Sequence, residues 1–261
     1  MKVISLGLGV QSTALYLMSS SGAVERADYA IFSDPGAEHP KTYELLDSLM
    51  DWQKKNDGIP IFVKAKNLYK DLLDGTNSTG QDFIPIPAFT ESKNCMVRSQ
   101  LIRQCTNEYK IRLIKNKIRE LQGVTTNKHT KPCELWLGIS LDEIQRMKKS
   151  RMYNITYRYP LLEKELTRKD CKAFLNKFGF QDVIKSSCVF CPYKSNTQWK
   201  DLKTNYPKEW DKVIEIDEAI RNSGIGDDKV FLHRSLTPMD RVYLQEDQEE
   251  LFMCEEGYCG V

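Results

Sequence analysis

Apolar and polar positions switch between a strand-like and a helix-like spacing along the first quarter of the chain, and the switches predict strand, helix, strand, helix, strand. Val3-Ile4 is a short apolar run that reads as a buried strand, and Ala14-Leu15-Tyr16-Leu17-Met18 has the spacing of a helix. Residues 27–33 form a second strand. From about Lys41 to Lys54, Tyr43, Leu46, Leu49, Met50 and Trp52 fall broadly on one side of a helix, and Ile59 to Ala65 form a third strand. This succession implies right-handed crossovers and an α/β fold, a doubly wound, mostly parallel sheet flanked by helices, with ligands at the carboxyl ends of the strands. Glu134 to Ile139 predicts another buried strand, followed by a helix with Asp142, Glu143 and Arg146 in its first turns. Thr167 caps a helix whose apolar stripe is Cys171, Phe174, Leu175 and Phe178.

Elsewhere the pattern is less regular. Residues 75–93 are rich in Gly, Asn, Ser, Thr and Pro and read as a surface loop, in a position to act as a lid. Residues 96–105 and 111–118 have helical spacing within a strongly basic stretch, 98–119, where a solvated helix face and a phosphate or polyanion site are alternative readings. Residues 196–222 are helical in pattern, with Trp199, Leu202, Trp210, Val213, Ile214 and Ile220 as the apolar set. We divide the chain into an α/β domain, 1–185, and a mostly helical cysteine-bearing region, 186–261.

Composition narrows the classes. At 261 residues the chain can bury a sizeable core, and with 38 basic and 36 acidic side chains it has no global basic field that would argue for nucleic acid. No apolar run reaches the length of a membrane span, and Met1 leads at once into a strand, so the expectation is a cytoplasmic protein without signal peptide or membrane partner. Eight cysteines in that compartment point away from disulfides and towards metal or redox chemistry for any close pair.

Two stretches carry that chemistry. Ser5-Leu6-Gly7-Leu8-Gly9-Val10-Gln11-Ser12-Thr13 joins the first strand to the first helix. Two glycines let the backbone approach a ligand, and the helix start offers unpaired N–H groups beside the Ser12 and Thr13 hydroxyls, a cradle suited to phosphate. The stretch lacks the Gly-Lys-Ser/Thr ending of the Walker loop and is not G-x-G-x-x-G; a tight turn packed for structural reasons is the other reading. Ser187-Cys188-Val189-Phe190-Cys191-Pro192 is the second: C-x-x-C serves zinc, an iron–sulfur cluster or a thiol redox pair. The tail from Cys254 to Cys259 offers further thiols. Cys95, Cys133 and Cys171 read as ordinary small residues. Leu232-His233-Arg234 could face a ligand, although a lone histidine is more often structural.

The first of these stretches resembles the PP-loop of the phosphoadenosine phosphosulfate (PAPS) reductase and ATP-pyrophosphatase superfamily, the adenine nucleotide alpha-hydrolase-like fold. Leu8 stands where a glycine is usual, and Gln11 where that pattern carries an acid. Further blocks follow in the family's order. Asp34-Pro35-Gly36, with Glu38 and Thr42, resembles the Asp-Thr-Gly stretch beside the nucleotide, an ordinary turn being the alternative for Asp34. Cys105 to Lys110 resembles Cys-Cys-x-x-x-Lys, with Thr106 in place of the second cysteine. Gly138-Ile139-Ser140-Leu141-Asp142-Glu143 resembles Gly-Ile-Arg-x-x-Glu, with Ser140 in place of the arginine. Pro160-Leu161-Leu162 and Thr167 with Asp170 repeat a Pro-Leu and Thr-x-x-Asp block that we read as structural.

The resemblance implies an enzyme whose nucleotide, PAPS, adenylyl sulfate or ATP with or without Mg²⁺, lies against Ser5, Gly7, Gly9, Gln11, Ser12 and Thr13. Adenosine would run along Phe32 to Asp34, with Gly138 across the site and Arg146 and Lys110 offsetting the charge. It further implies a [4Fe-4S] cluster, with zinc as the alternative, held by Cys105, Cys188, Cys191 and Cys259. Cys259, followed by Gly260, also resembles the nucleophile of sulfonucleotide reductases; we favour the ligand role. The implied activity is sulfur chemistry on that nucleotide, reduction or transfer, beside the cysteine-ligated metal centre, with a thioredoxin-like thiol donor. The alternatives are adenylation of a nucleic-acid or small-molecule substrate for thiolation, with a cysteine desulfurase as sulfur source, and a non-catalytic nucleotide or redox sensor. The basic 98–119 stretch is where nucleic acid would bind.

Overall fold

A computed structural model describes residues 1–75, 83–91, 98–124, 129–223 and 228–245. Its elements in chain order are β1 (Lys2–Ser5), α1 (Val10–Ser20), β2 (Tyr29–Asp34), α2 (Pro40–Lys55), β3 (Ile61–Ala65), α3 (Leu68–Asp74), β4 (Phe89–Glu91), β5 (Arg98–Gln100), α4 (Arg112–Leu121), β6 (Cys133–Trp136), β7 (Ile155–Arg158), α5 (Pro160–Glu163), α6 (Arg168–Lys177), α7 (Asn196–Asn205), α8 (Pro207–Ala219) and β8 (Lys229–Phe231). A π-helical turn, Asn107–Ile111, precedes α4, and a 3₁₀ turn, Leu141–Arg146, follows β6. Among the described residues no helix is long and apolar enough to cross a membrane.

The chain divides into two compact units, one of Met1–Asp34, Glu38–Ala65 and Lys110–Ser186, the other of Pro35–Ala37, Lys66–Tyr109 and Ser187–Val261. The first is an α/β fold built on a five-stranded parallel sheet of order β3-β2-β1-β6-β7, flanked by helices. The order reverses between β1 and β6, which places the crevice of a doubly wound sheet beyond the carboxyl ends of those two strands. Ile4, Leu15, Tyr16, Leu49, Trp136, Leu161 and Leu175 belong to its core. Trp52 sits edge-on to both Tyr16 and Phe178, at 6.3 and 5.7 Å between ring centres. The Tyr16 hydroxyl donates to the Ile59 carbonyl at 2.8 Å, and burial pushes that phenol up to about 12.

In the same unit, Glu120 of α4 takes Lys117 at 2.6 Å and Lys64 of β3 at 2.7 Å. Lys117 is itself buried, its ammonium 4.2 Å from the centre of the Phe62 ring. Hydrogen bonds from Lys117 and then Lys64 lower the Glu120 carboxyl to about 2. A depressed acid stabilises the fold above its ordinary value of 4.5 and loses that contribution as pH falls through about 2. Thermal unfolding of wild type and Glu120→Gln across this acid range is expected to show a smaller loss on acidification in the variant, an effect that high salt reduces. Parallel pH profiles would remove the pairing from the account of stability.

The second unit holds an antiparallel sheet of order β5-β4-β8, with Thr90 opposite Ser99 on one side and Val230 on the other. Residues 98–100, read from sequence as the opening of a helix, are therefore a strand, because pairing with β4 outweighs a weak local preference. The helical segment 196–222 breaks at Pro207 into α7, which Ser195 caps through the Gln198 N–H at 3.2 Å, and α8. Trp199 and Trp210 meet edge-on at 6.3 Å in the core of this unit, with Val189, Phe190, Val213 and Ile216.

Two further differences lie around β6. The helix expected after Gly138 is only the 3₁₀ turn, distorted at Glu143 (φ −119°, ψ 22°). Leu141, Ile144 and Met147 are 41%, 50% and 54% exposed, so a longer helix there would have no apolar stripe to bury. Strand β7 was not foreseen, although Ile155-Thr156-Tyr157 carries the β-branched and aromatic signal of a strand.

Candidate functional site

The glycine turn sits at the sheet's switch point. Leu6 continues β1 by donating its N–H to the Ile31 carbonyl at 2.9 Å, and the backbone then turns through Gly7, Leu8 and Gly9 into α1. Leu8 adopts φ +56°, in the left-handed region that glycine occupies most easily. Its side chain is fully buried, which holds a conformation costing roughly 1–2 kcal/mol. The position where the resembled motif has a glycine thus keeps a glycine-like backbone. Gly9 is the N-cap of α1, and the Ser12 hydroxyl lies 3.2 Å from both the Gly9 N–H and its carbonyl.

The two glycines differ from packing glycines. A Cβ at Gly9 would meet nothing within 4 Å among the described residues, and one at Gly7 only the Ser12 hydroxyl at 3.6 Å. No described neighbour requires their smallness, so the face of the turn stands open beside the first-turn amides of α1. Gly138, after β6, is the reverse case: its Cβ would lie 2.7 Å from the Ser12 nitrogen and 2.8 Å from the Ser12 Cα. The β6 loop and the start of α1 are in backbone contact there.

The other expected nucleotide contacts are distributed unevenly. Ser5 and Ser12 are half-buried, but Thr13 is fully buried, its N–H bonded to the Gly9 carbonyl at 3.0 Å and its hydroxyl without a partner among the described residues. Phe32, 2% exposed, packs in the core, so only its backbone can border a ligand. Asp34, half-buried at the end of β2, accepts from the Tyr43 hydroxyl at 2.8 Å, and Tyr43 accepts from the Glu38 N–H at 3.1 Å. Burial, then the neighbouring Asp34 and Glu38, holds the Tyr43 phenol well above its ordinary range. Lys110 is engaged by Glu38 at 3.2 Å, a carboxylate that also accepts from Ser186 at 2.9 Å. Arg146 is paired with Glu143 at 2.6 Å.

One basic side chain that sequence reasoning passed over does reach the turn. Gln11, 6% exposed, donates from its amide to Ser140 at 3.3 Å and accepts from the Arg168 guanidinium at 3.1 Å. Arg168 lies directly after Thr167, in the block read as structural; that cap is present, with Asp170 bonding back to the Thr167 N–H at 2.9 Å.

The cysteine turn belongs to the second unit. Val189 and Phe190, between the two cysteines, are fully buried, and the Val189 N–H donates to the Ala37 carbonyl at 2.8 Å. The turn closes through the Cys191 N–H to the Cys188 carbonyl at 3.1 Å, leaving both cysteines half-buried. Cys105 and Cys188 border the same apolar core. Among the described residues no three His, Cys, Asp or Glu side chains group to hold a metal, so these thiols do not by themselves complete a donor set; Cys95, Cys254 and Cys259 lie outside the described residues. Burial raises the thiols of Cys133 and Cys171 to about 11 and about 12, as suits inert small residues. His233 is 4% exposed and bridges Ser235 and Asn196, the first residue of α7, at 2.7 and 2.8 Å.

No protein-family profile matches the chain. No curated protein matches it either. Among solved structures it is similar to the U34-tRNA thiolase NcsA from Methanococcus maripaludis with its [4Fe-4S] cluster, with 14% identity and a TM-score of 0.40, over all of this chain and 81% of that one. A likeness of this degree leaves substrate and chemistry to be argued from the chain itself.

Proposed function

We propose that the first unit binds an adenine nucleotide at the Gly7–Ser12 turn and that the chain uses it for sulfur chemistry of the PAPS-reductase kind. The observation that carries this reading is the turn itself, an open strand-to-helix turn at the sheet's switch point with a left-handed Leu8. The amides of Gly7 to Ser12 would receive a phosphate or sulfate group, favoured by the positive end of α1. In the reductive form, a cysteine thiolate attacks the sulfur of the sulfonucleotide, the S–O bond to phosphate breaks, and the nucleotide leaves with the electron pair. The resulting S-sulfocysteine releases sulfite when a second thiolate attacks the cysteine sulfur, forming a disulfide. Cys259 would be that cysteine if it is not a metal ligand.

A second reading, ATP-dependent adenylation with loss of pyrophosphate ahead of thiolation, is favoured by Ser140 in place of the arginine and by the engagement of Arg146 with Glu143. Both remove cations that the resemblance assigns to a sulfonucleotide. Lys110 and Lys117 of the 98–119 stretch are likewise engaged, by Glu38 and Glu120. A [4Fe-4S] cluster, or zinc, would draw on Cys105, Cys188, Cys191 and Cys259.

The test is calorimetric titration of anaerobically purified protein with ATP and PAPS, followed by assays of sulfite, pyrophosphate, iron and zinc. Sulfite from PAPS with a dithiol is the expected result, and pyrophosphate from ATP would select the second reading. Tight binding without either product would leave a nucleotide sensor, and absence of binding would overturn the reading of the turn.

A further inference from the structure

Resting on the reading of the Gly7–Ser12 turn as a nucleotide cradle, we propose that Arg168 supplies the cation that grips the nucleotide's phosphate or sulfate group, and that Gln11 is its positioning residue. The resemblance assigns that duty elsewhere, to an arginine where this chain has Ser140 and to Arg146. The first is absent, and the second is held by Glu143 at 2.6 Å. Arg158 and Arg221 are paired in the same manner, with Glu163 at 2.9 Å and with Asp217.

Arg168 differs from these. Its guanidinium bonds to a neutral group, the Gln11 amide oxygen, at 3.1 Å through Nη1. Nε and Nη2 have no hydrogen-bond partner, and no carboxylate pairs with the guanidinium, among the described residues. Asp142, the nearby acid, is used on the backbone, accepting the Arg168 N–H at 2.9 Å at the first turn of α6. A guanidinium held by a neutral anchor keeps its charge and its remaining parallel N–H donors for an oxyanion, where bidentate geometry is strongest.

The anchor also says where that charge is delivered. Gln11 is the second residue of α1, so its own backbone N–H is among the first-turn amides that have no acceptor inside the helix. Its side chain is buried and held from both ends, by Ser140 at 3.3 Å and by Arg168. Where the family pattern carries an acid, an amide here joins the Ser140 loop to Arg168. The serine that replaces the arginine thus takes part in holding another arginine, one drawn from α6.

The experiment measures Kd for ATP, AMP and adenosine, each at several salt concentrations, with wild type, Arg168→Ala, Arg168→Lys and Gln11→Leu, alongside thermal unfolding. Loss of a charge-assisted contact is expected to weaken ATP binding roughly tenfold to hundredfold in Arg168→Ala and to flatten its salt dependence, while adenosine binding stays within about twofold. Lysine is expected to restore part of the ATP affinity, as a point charge without the fork. Gln11→Leu is expected to fall between wild type and Arg168→Ala, with the salt dependence retained. Equal ATP affinity in wild type and Arg168→Ala would overturn the assignment, as would parallel losses for ATP and adenosine with a lowered Tm, the mark of a purely structural arginine. A wild type that binds none of these ligands would instead overturn the reading of the turn on which the assignment rests.

Discussion

Gly138→Ala is expected to damage stability and nucleotide binding together, whereas Gly9→Ala is expected to damage binding alone. The added Cβ at Gly138 would lie 2.7 Å from the Ser12 nitrogen, 2.8 Å from its Cα and 2.9 Å from the Gln11 carbonyl carbon. All three are backbone atoms at the start of α1, so no side-chain rotation relieves the overlap. Either the β6 loop or the first turn of α1 must move. Overpacking of this kind costs about 1–3 kcal/mol, and a clash with backbone belongs at the upper end. For a unit of this size that lowers Tm by roughly 5–10 °C. Binding suffers further, because the displaced turn carries the amides proposed to hold the phosphate. At Gly9 the substituent meets nothing within 4 Å, and the backbone there, φ −97° and ψ 174°, suits any residue. The Gly9→Ala methyl would therefore occupy only the space proposed for the ligand, and because the poorer N-cap and the stiffer unfolded chain offset each other, Tm is expected to stay within about 3 °C of wild type. Thermal unfolding and ATP titration of the two variants decide the matter. Unchanged ATP affinity in Gly9→Ala would mean that the ligand, if any, lies elsewhere.

That contrast also shows what a sequence can and cannot convey. The Gly7–Ser12 turn was legible because its signals are local, with an apolar strand, two glycines and a helix start within one short stretch. For the same reason α1, α2, α6 and the Thr167 cap were readable. The use of Gly138 was legible only through resemblance, since a glycine at that spacing has no local signature and its need arises from Ser12, far away in the chain. The bond between Arg168 and Gln11 spans 157 positions, and nothing in either neighbourhood announces it. Arg146 was the cation that the resemblance implied, and its pairing with Glu143 becomes visible only when the 3₁₀ turn is built. Strand β5 failed to show for a related reason: three residues acquire strand geometry from β4, and β4 from β8, which lies more than a hundred residues further on. Conversely, Leu8 looked like a defect in the motif, yet its buried side chain secures the left-handed backbone that a glycine would adopt without cost.

In the second unit the largest loss is expected from Asp217→Ala, about 3–5 kcal/mol, the cost of leaving a buried charge and its hydrogen-bond partners unmatched. Asp217 on α8 is 1% exposed. Its carboxylate accepts the Leu232 N–H at 2.9 Å, the Met239 N–H at 3.0 Å and the guanidinium of Arg221. Arg221 in turn donates to the Val230 carbonyl at 3.0 Å and lies 3.9 Å from the centre of the Phe231 ring. One side chain therefore fastens α8 to β8 and to the segment beyond it. Burial raises the Asp217 carboxyl despite these donors, so the folded state holds its proton to higher pH than the unfolded chain does. The resulting contribution is present at low pH and is lost as pH rises above the ordinary value of 3.8, a dependence that Asp217→Asn should abolish. Because α8 packs with Val189 and Phe190 in one core, loosening it should also expose the cysteine turn. Faster reaction of Cys188 and Cys191 with a thiol reagent, read by mass spectrometry, is the accompanying sign. Replacing Asp217 and Arg221 together by leucine should recover part of the lost stability, since neither charge is then left alone. Wild-type stability in Asp217→Ala would mean that Trp210, Val213 and Ile216 hold α8 in place by apolar burial alone, and that the carboxylate only follows where they lead.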